Sequence, residues 1–403
     1  MKKFKLVTLL GIRPDYIRMF KLIPLLDESK DLEHIMVHSG QHYDEELFGV
    51  FLKEFGVRRP DIDLGIGLSL KERGESNHAY QLALLTERVY DMLQEVKPDA
   101  VMYLGDTNTV LSAPTVAREG IPVIHIEAGG RSFDWRMPEE KNRVVIDHVS
   151  DALYSYLDRY KELLVAEGVA DFRVKVIGNI IADAINEYES IADKSDVLER
   201  LGIKEKEFVL VTLHREENTS DKVILERKLA DILRFAKEKR MPIVLPLMPR
   251  TKAAIERFGI EEIIKDKQWI ITPPLGFFDF LKLEKTARLA VSDSGTVQEE
   301  TLVLGTPCVI ARRSTERPET IWAGATILEG FEGKDTLYNS MVKAWDMPIG
   351  WDRTVLNPEG GSPSQRAYDD LIEKVKSGYF EHSRDFERIK DNPLARKAYG
   401  GDE

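Results

Sequence analysis

Cysteine is almost absent. The 403 residues contain one, Cys308, inside the apolar run Pro307-Cys308-Val309-Ile310. A lone thiol cannot close an internal disulfide and suits a reducing compartment. We read Cys308 as a small buried strand residue, not a nucleophile. Long hydrophobic runs are also missing, and no segment approaches the roughly 20 apolar residues needed to span a bilayer. The run Leu6–Leu10 behind Lys2-Lys3-Phe4-Lys5 is too short for a signal peptide. It meets Arg13-Pro14-Asp15 with no small-residue cleavage pattern, so it is expected to be a first buried strand of a cytoplasmic protein. Basic charge is not in excess, since the net charge is −12. That excludes a general nucleic-acid binder with a basic stripe, but not local cationic clusters that hold a small anion. Neither GxGxxG nor a Walker loop occurs, and there is no HExxH, CxxC or nucleophile elbow. No metal or redox cofactor is expected.

Hydrophobic residues make up 43% of the chain and charged residues 31%, the balance of a soluble globular protein. The length fits two domains of roughly 150–200 residues each. Short apolar runs at Leu6–Leu10, His34–His38, Ala100–Tyr103, Val123–Ile126, Ala152–Ser155 and Val174–Ile177 alternate with helical periodicity. The helical stretches are Ile17–Leu26, Glu45–Phe55, Ala79–Val96 and Val110–Glu119. The alternation then restarts. Strands are expected at Phe208–Thr212, Ile243–Pro246, Trp269–Ile271, Leu289–Ser292, Cys308–Ala311 and Ala325–Leu328. Helices are expected at Lys222–Arg240, Arg250–Phe258, Phe277–Glu284 and Thr296–Leu304. Strands of four to six residues each followed by a helix make βαβ units, so the fold class is α/β with two doubly wound parallel-sheet domains. The expected division is 1–182, 183–364 and a helical tail 365–403 that returns to the first domain, with a hinge at Gly178–Ser190. Trp345–Ser364 reads as loop, Arg366–Lys376 as helix and Phe380–Ala395 as a second, highly charged helix.

Chemistry-bearing residues collect just after the predicted strands, where open α/β sheets bind ligands. Gly11-Ile12-Arg13-Pro14-Asp15 offers backbone N–H groups and a guanidinium to an anion, or is an ordinary βα turn. Asp106, in Gly105-Asp106-Thr107-Asn108-Thr109, either faces a cleft or caps the next helix. Glu127 ends a buried strand, and Pro138-Glu139-Glu140-Lys141-Asn142-Arg143 follows. Glu139 and Arg143 share a helical face. Carboxylates crowded at one sheet edge raise one another's pKa, which an acid or base near neutral pH requires. In the second half His214-Arg215 suits a phosphate, although a plain loop histidine competes with that reading. Ser294 and Gly295 open a helix whose N–H groups can hold a phosphate. Glu300 lies about a turn and a half further on, within reach of a ribose diol. Thr315-Glu316-Arg317-Pro318-Glu319 adds another cation.

In order and spacing these segments resemble the non-hydrolysing UDP-N-acetylglucosamine 2-epimerase family up to about Arg366. The matching stretches are Gly11–Arg18, Ser39–His42, Gly105–Thr109, His125–Arg131, Pro138–Arg143, Gly178–Asn179, His214–Asn218, Asp293–Glu300 and Glu316–Glu319. Asn357-Pro358, Gly360, Ser364 and Arg366 resemble the family's closing loop. The resemblance implies two Rossmann-like domains with an interdomain cleft, the GT-B arrangement. It also implies C2 epimerisation of a UDP-N-acetylhexosamine by anti elimination and re-addition of UDP through a 2-acetamidoglycal. Asp106, Glu127 and Glu139 would then carry acid–base chemistry, and His214 and Arg13 would stabilise departing UDP. Ser294 and Gly295, with Thr296 beside them, would bind diphosphate, Glu300 the ribose and Phe280 the uracil. Arg317 would neighbour the sugar phosphate, and Arg143 would position the carboxylates. Arg18 and Arg215 join the substrate-binding set. No cofactor, nucleic acid or membrane partner is implied, and a homodimer is.

Some positions depart from the family pattern. Gly130 stands where leucine is usual, and Thr296 replaces a second glycine. Asp44 and Met248 lie in the region of the activator site of bacterial members, so activation by UDP-N-acetylglucosamine is not expected here. Arg131–Arg136 resembles relatives acting on modified UDP-sugars such as diacetamido-uronates and 6-deoxy sugars, so the hexosamine itself stays open. The competing readings are a glycosyltransferase of the same architecture, a hydrolysing 2-epimerase, and a catalytically dead nucleotide-sugar sensor.

Overall fold

The computed structural model describes residues 2–40, 56–74, 77–329 and 337–382. The expected helix Glu45–Phe55, Gln41-His42, Asp44 and most of Phe380–Ala395 lie outside these residues. The chain divides into two compact units, Met1–Ala184 with Glu359–Glu403, and Ile185–Pro358.

Among the described residues the first unit holds seven parallel strands. They are β1 Phe4–Leu10, β2 Leu32–His38, β3 Ile62–Asp63, β4 Ala100–Leu104, β5 Val123–Ala128, β6 Ala152–Ser155 and β7 Val174–Val176. Their spatial order is β3-β2-β1-β4-β5-β6-β7. The second unit holds β8 Val209–Thr212, β9 Ile243–Pro246, β10 Trp269–Thr272, β11 Leu289–Ser292, β12 Cys308–Ile310 and β13 Thr326–Leu328. Here the order is β10-β9-β8-β11-β12-β13, again parallel. Each sheet therefore reverses direction once, between β1 and β4 and between β8 and β11, and the crevice at such a reversal is where doubly wound sheets take ligands. This is the two-domain α/β architecture anticipated from the alternating pattern.

The strands are continuous apolar runs because helices cover both faces of each sheet. All five residues of β4 and all four of β8 are buried. Cys308 is fully buried in β12, and burial pushes its thiol up to about 12. In the first unit Val7, Leu9, Val101 and Val123 pack with Leu85 and Val89 of the His78–Val96 helix. In the second, Val209, Val211 and Val291 pack with Leu229, Ile232 and Phe235 of the Lys222–Lys239 helix.

Several elements differ from expectation. Ile17–Leu26 is two helices, Arg13–Met19 and Leu22–Asp27. Pro24, which has no N–H to donate, fits the first turn of a new helix but not the middle of an old one. Most of the expected hinge Gly178–Ser190 lies in a helix, Ile181–Ala192, and the boundary between the units falls inside it. The Pro363–Lys376 helix belongs to the first unit, where Tyr368 donates to Ser29 at 3.0 Å and the Arg366 guanidinium donates to the Ile177 carbonyl at 2.7 Å. Among the described residues no helix is long and apolar enough to cross a membrane.

Candidate functional site

In the first unit the candidate residues lie at or past three strand ends. Past β1, the Gly11-Ile12 turn is tied by Asp15, whose carboxylate accepts from both amides at 2.9 and 3.0 Å. Burial pushes the Asp15 carboxyl above the ordinary carboxylate range, against the opposing pull of Arg18 and of those amides. Arg13 opens the following helix half-buried and, among the described residues, forms no ion pair. Its guanidinium is available to an anion. Arg18 donates to Asp15 at 2.8 Å and also to Glu127, so this cation grips a carboxylate at the next strand end.

Glu127 is almost wholly buried, and its backbone is left-handed, with φ at +76°. For a residue with a side chain that conformation costs about 1–2 kcal/mol, and such strain gathers at functional positions. The pairing of β5 with β6 slips between Ile126 and Ala128, so Glu127 sits on a bulge. Tyr156 donates to its carboxylate at 3.3 Å, and Arg143 lies 3.8 Å away. Arg143 also donates to Asp106, whose side chain keeps some exposure, and Asn142 holds the Asp106 carbonyl at 2.8 Å. One guanidinium thus joins Asp106 and Glu127, from adjacent strands β4 and β5. Glu139 lies half-buried in the first turn of the Pro138–Val149 helix that carries Arg143. Its neighbour Glu140 orders the preceding loop by accepting from Ser132 and Phe133 amides at 2.8 and 3.0 Å.

In the second unit the hub is Asp293, fully buried at the end of β11. It accepts from the His214 and Arg215 amides, each at 2.9 Å, and from the Asn218 side chain at 2.9 Å, fixing the turn after β8. The His214 ring stands 3.3 Å from Asp293 and keeps about a third of its surface exposed, with its side chain at 36%. Desolvation holds its pKa below the ordinary histidine value. Asp293 opposes this, and Arg215, Arg250 and Arg312 reinforce it. A neutral imidazole amid three cations is set to gain a proton when a phosphate arrives. Arg312 is buried between Glu217 and Glu316, at 3.0 Å from each. Arg215 approaches Glu316 at 3.5 Å.

The Gly295–Leu304 helix begins beside this turn, with Ser294 at its N-cap and no side-chain cap bond there. Its first N–H groups, at Gly295 and Thr296, carry the positive end of the helix dipole. A Cβ on Gly295 would stand 2.8 Å from the Glu316 carboxylate, so the close approach explains the glycine. Arg317 is buried in an ion pair with Glu299 at 2.7 Å. Glu300 is buried against a second acid, Glu284 of the Phe277–Thr286 helix. Phe280, on that same helix, is partly buried against two apolar clusters, one around Leu210 and Val244 and one around Ala290 and Cys308.

The first unit therefore brings Asp106, Glu127, Arg18 and Arg143 into one charged cluster, with Arg13 on the neighbouring turn. The second brings His214, Arg215, Ser294, Gly295 and Thr296 to one reversal point. Sequence reasoning missed Arg312, although it follows β12 by two residues and the strand-end rule points to it. It also missed Glu284, which reads locally as an ordinary acid on an amphipathic helix. Among the described residues no group of three or more His, Cys, Asp or Glu is placed to hold a metal ion.

A family model described as UDP-N-acetylglucosamine 2-epimerase matches residues 25–349. The UDP-N-acetylglucosamine 2-epimerase of Methanococcus maripaludis is 36% identical over 86% of this chain and 95% of its own length. The UDP-2,3-diacetamido-2,3-dideoxy-D-glucuronate 2-epimerase of Pseudomonas aeruginosa is 33% identical over 81% of this chain and 88% of its own. The crystal structure of the Methanocaldococcus jannaschii UDP-GlcNAc 2-epimerase in complex with UDP-GlcNAc and UDP superposes with a TM-score of 0.83 at 34% identity, covering 92% of this chain and 99% of that one. With the family model spanning most of its length and a relative 36% identical over 86% of it, the chain belongs to the UDP-N-acetylglucosamine 2-epimerase family.

Proposed function

We propose that this protein inverts C2 of a UDP-linked N-acetylated hexosamine by eliminating UDP and adding it back. The observation that carries the reading is the pair Asp106 and Glu127, two carboxylates from adjacent strand ends joined through the buried Arg143. The relatives acting on UDP-N-acetylglucosamine and on a UDP-diacetamido-glucuronate supply the substrate class.

The hydrogen at C2 is only weakly acidic, so breaking the C1–O bond must lead. That bond's electron pair leaves with UDP, positive charge develops at C1, and a carboxylate takes the C2 proton, giving the 2-acetamidoglycal and UDP. In the return step a proton reaches C2 from the opposite face and the UDP oxygen bonds to C1. Asp106, Glu127 and Glu139 are the acid–base set for these transfers. Arg13, Arg215 and His214 stabilise the departing diphosphate, His214 by donating a hydrogen bond once protonated, while Ser294, Gly295 and Thr296 bind it at the helix N-terminus. Glu300 takes the ribose diol, Phe280 the uracil, and Arg317 stands beside the sugar phosphate. Arg18 and Arg143 orient the carboxylates. No cofactor enters the scheme. The enzyme is expected in the cytoplasm as a homodimer, which light scattering of the purified protein checks.

The test is incubation with UDP-N-acetylglucosamine, and separately with UDP-2,3-diacetamido-2,3-dideoxy-glucuronate, in D₂O with NMR at H2. Epimerisation places deuterium at C2 and keeps UDP on the product. Free sugar would point to a hydrolysing enzyme. Transfer to an acceptor without exchange would point to a glycosyltransferase. The faster of the two substrates identifies the sugar.

A further inference from the structure

Asp147 lies in the last turns of the Pro138–Val149 helix and is fully buried, so it touches no substrate. Its carboxylate nevertheless gathers three donors from the chain around Glu127. His125 Nδ1 lies at 2.7 Å from one oxygen. The other oxygen accepts from the Gly129 amide at 3.2 Å and from Arg131 at 2.7 Å. The donors lie two residues before Glu127 and two and four after it, so one carboxylate spans the bulge on which Glu127 adopts its left-handed backbone.

The second ring nitrogen of His125, Nε2, faces the Gly105 carbonyl at 2.8 Å. Its two neighbours are a carboxylate and a carbonyl, so the ring bridges Asp147 to the Asp106 turn. His125 is buried against Asp147, and Arg131 pairs onward with Glu167 at 2.7 Å. Asp147 is held ionised: burial would raise its pKa, but His125 and Arg131 bring it below the usual range. The Gly105 carbonyl belongs to the residue before Asp106. Asp147 and His125 therefore hold backbone groups within two residues of both candidate carboxylates, at Gly129 and Gly105, while Arg143, one turn earlier on Asp147's own helix, grips their side chains. A buried ionic cluster is a costly way to fill a core, which invites a reason other than stability.

We propose that Asp147 and His125 are positioning residues for the epimerisation: they lock the Glu127 bulge to the Asp106 turn and so hold the two carboxylates in register with one substrate carbon. This rests on the reading of Asp106 and Glu127 as acid–base groups. Misplacing a reacting group by about 1 Å costs on the order of 100-fold in rate.

The experiment measures C2 deuterium exchange with UDP-N-acetylglucosamine and UDP affinity by calorimetry for Asp147→Asn, His125→Gln, Glu127→Gln and the Asp147→Asn/Glu127→Gln double variant. Expected for Asp147→Asn is a fall in kcat of about 100-fold, with KM and UDP affinity within about threefold of the parent. His125→Gln, whose amide can still donate to the Gly105 carbonyl, should lose less, about 10-fold. On the Glu127→Gln background Asp147→Asn should slow the residual exchange, followed over days, no further, because its effect runs through Glu127. Parent-like exchange in Asp147→Asn overturns the proposal, as does full additivity in the double variant. Should Asp147→Asn fail to fold, His125→Gln decides. A loss of UDP affinity in parallel with kcat in that variant marks general damage and overturns the proposal, whereas a selective loss of kcat upholds it. Parent-like exchange in Glu127→Gln would remove the acid–base reading itself, and is seen without touching Asp147.

Discussion

Glu284 and Glu300 show what a single buried proton does at the scale of one residue pair. Both carboxyls are buried, and burial raises both. Glu284 is pushed well above the ordinary value by desolvation and then by the charge of Glu300, while Glu300 is pushed up to about 7. A protonated Glu284 can donate to an ionised Glu300, so one proton serves two acids. Glu300 holds a proton between pH 4.5 and about 7 that the unfolded chain releases, so its contribution is complete below pH 4.5 and is lost as pH rises through 7, and Glu284, also raised, acts in the same direction. Glu284→Gln keeps a donor to Glu300 and removes one titration. It should gain about 1–3 kcal/mol over the parent at pH 8 and almost nothing at pH 4.5, measured by urea unfolding at both. An equal difference at the two pH values would mean that the pair does not share a proton. None of this was legible beforehand. Glu300 was found because it follows a strand-end phosphate motif, but Glu284 meets it only through the packing of two helices.

Among elements, the strand and helix content was legible wherever a period was strong. The long helices His78–Val96 and Lys222–Lys239 stand within a residue of where periodicity puts them, and Asn77 and Asp221 cap them by accepting from their first-turn amides. What escaped was short or non-local. β3 is two residues long and is recognisable only by pairing with β2. The bulge at Glu127 depends on β6 and on Asp147, neither adjacent in sequence. Gly129 belongs to this bulge, with φ at +86°, and a Cβ there would lie 2.5 Å from the Tyr160 carbonyl oxygen. Gly129→Ala should therefore cost about 2–4 kcal/mol and slow C2 exchange. Gly202 is the control: its φ is +64°, but open space surrounds its Cβ position, so Gly202→Ala should cost only about 1 kcal/mol and leave exchange alone. Equal losses in the two variants would show that the left-handed backbone alone, and not the contact with Tyr160, makes Gly129 necessary.

For the whole molecule, two α/β sets were evident from the restart of the strand–helix alternation, and the strand-end rule picked the candidate residues before any strand order was known. The order within each sheet rests on pairings too distant to read from local pattern, whereas a return of the helical tail to the first unit was expected, from residue 365, and begins after Pro358. That return is held at Asp183, which is buried and accepts from the Ser362 hydroxyl at 3.0 Å and the Ser364 amide at 2.8 Å, some 180 residues further along the chain. Ser362 in turn caps the Pro363–Lys376 helix, accepting from the Gln365 amide at 3.2 Å. Removing the acceptor leaves the buried Ser364 amide unsatisfied, a loss of about 1–3 kcal/mol. Asp183→Ala should therefore loosen the C-terminal helix before anything else. Hydrogen exchange should quicken at 363–376 while the amides of Lys222–Lys239 in the second unit keep their protection. Asp183→Asn, which retains one acceptor oxygen, should lie between. If protection at 363–376 stays at the parent level in Asp183→Ala, the helix is held by its other contacts, the Tyr368 and Arg366 hydrogen bonds and the apolar face of Ala367, Leu371 and Ile372, and the Asp183 link contributes nothing to closing the unit.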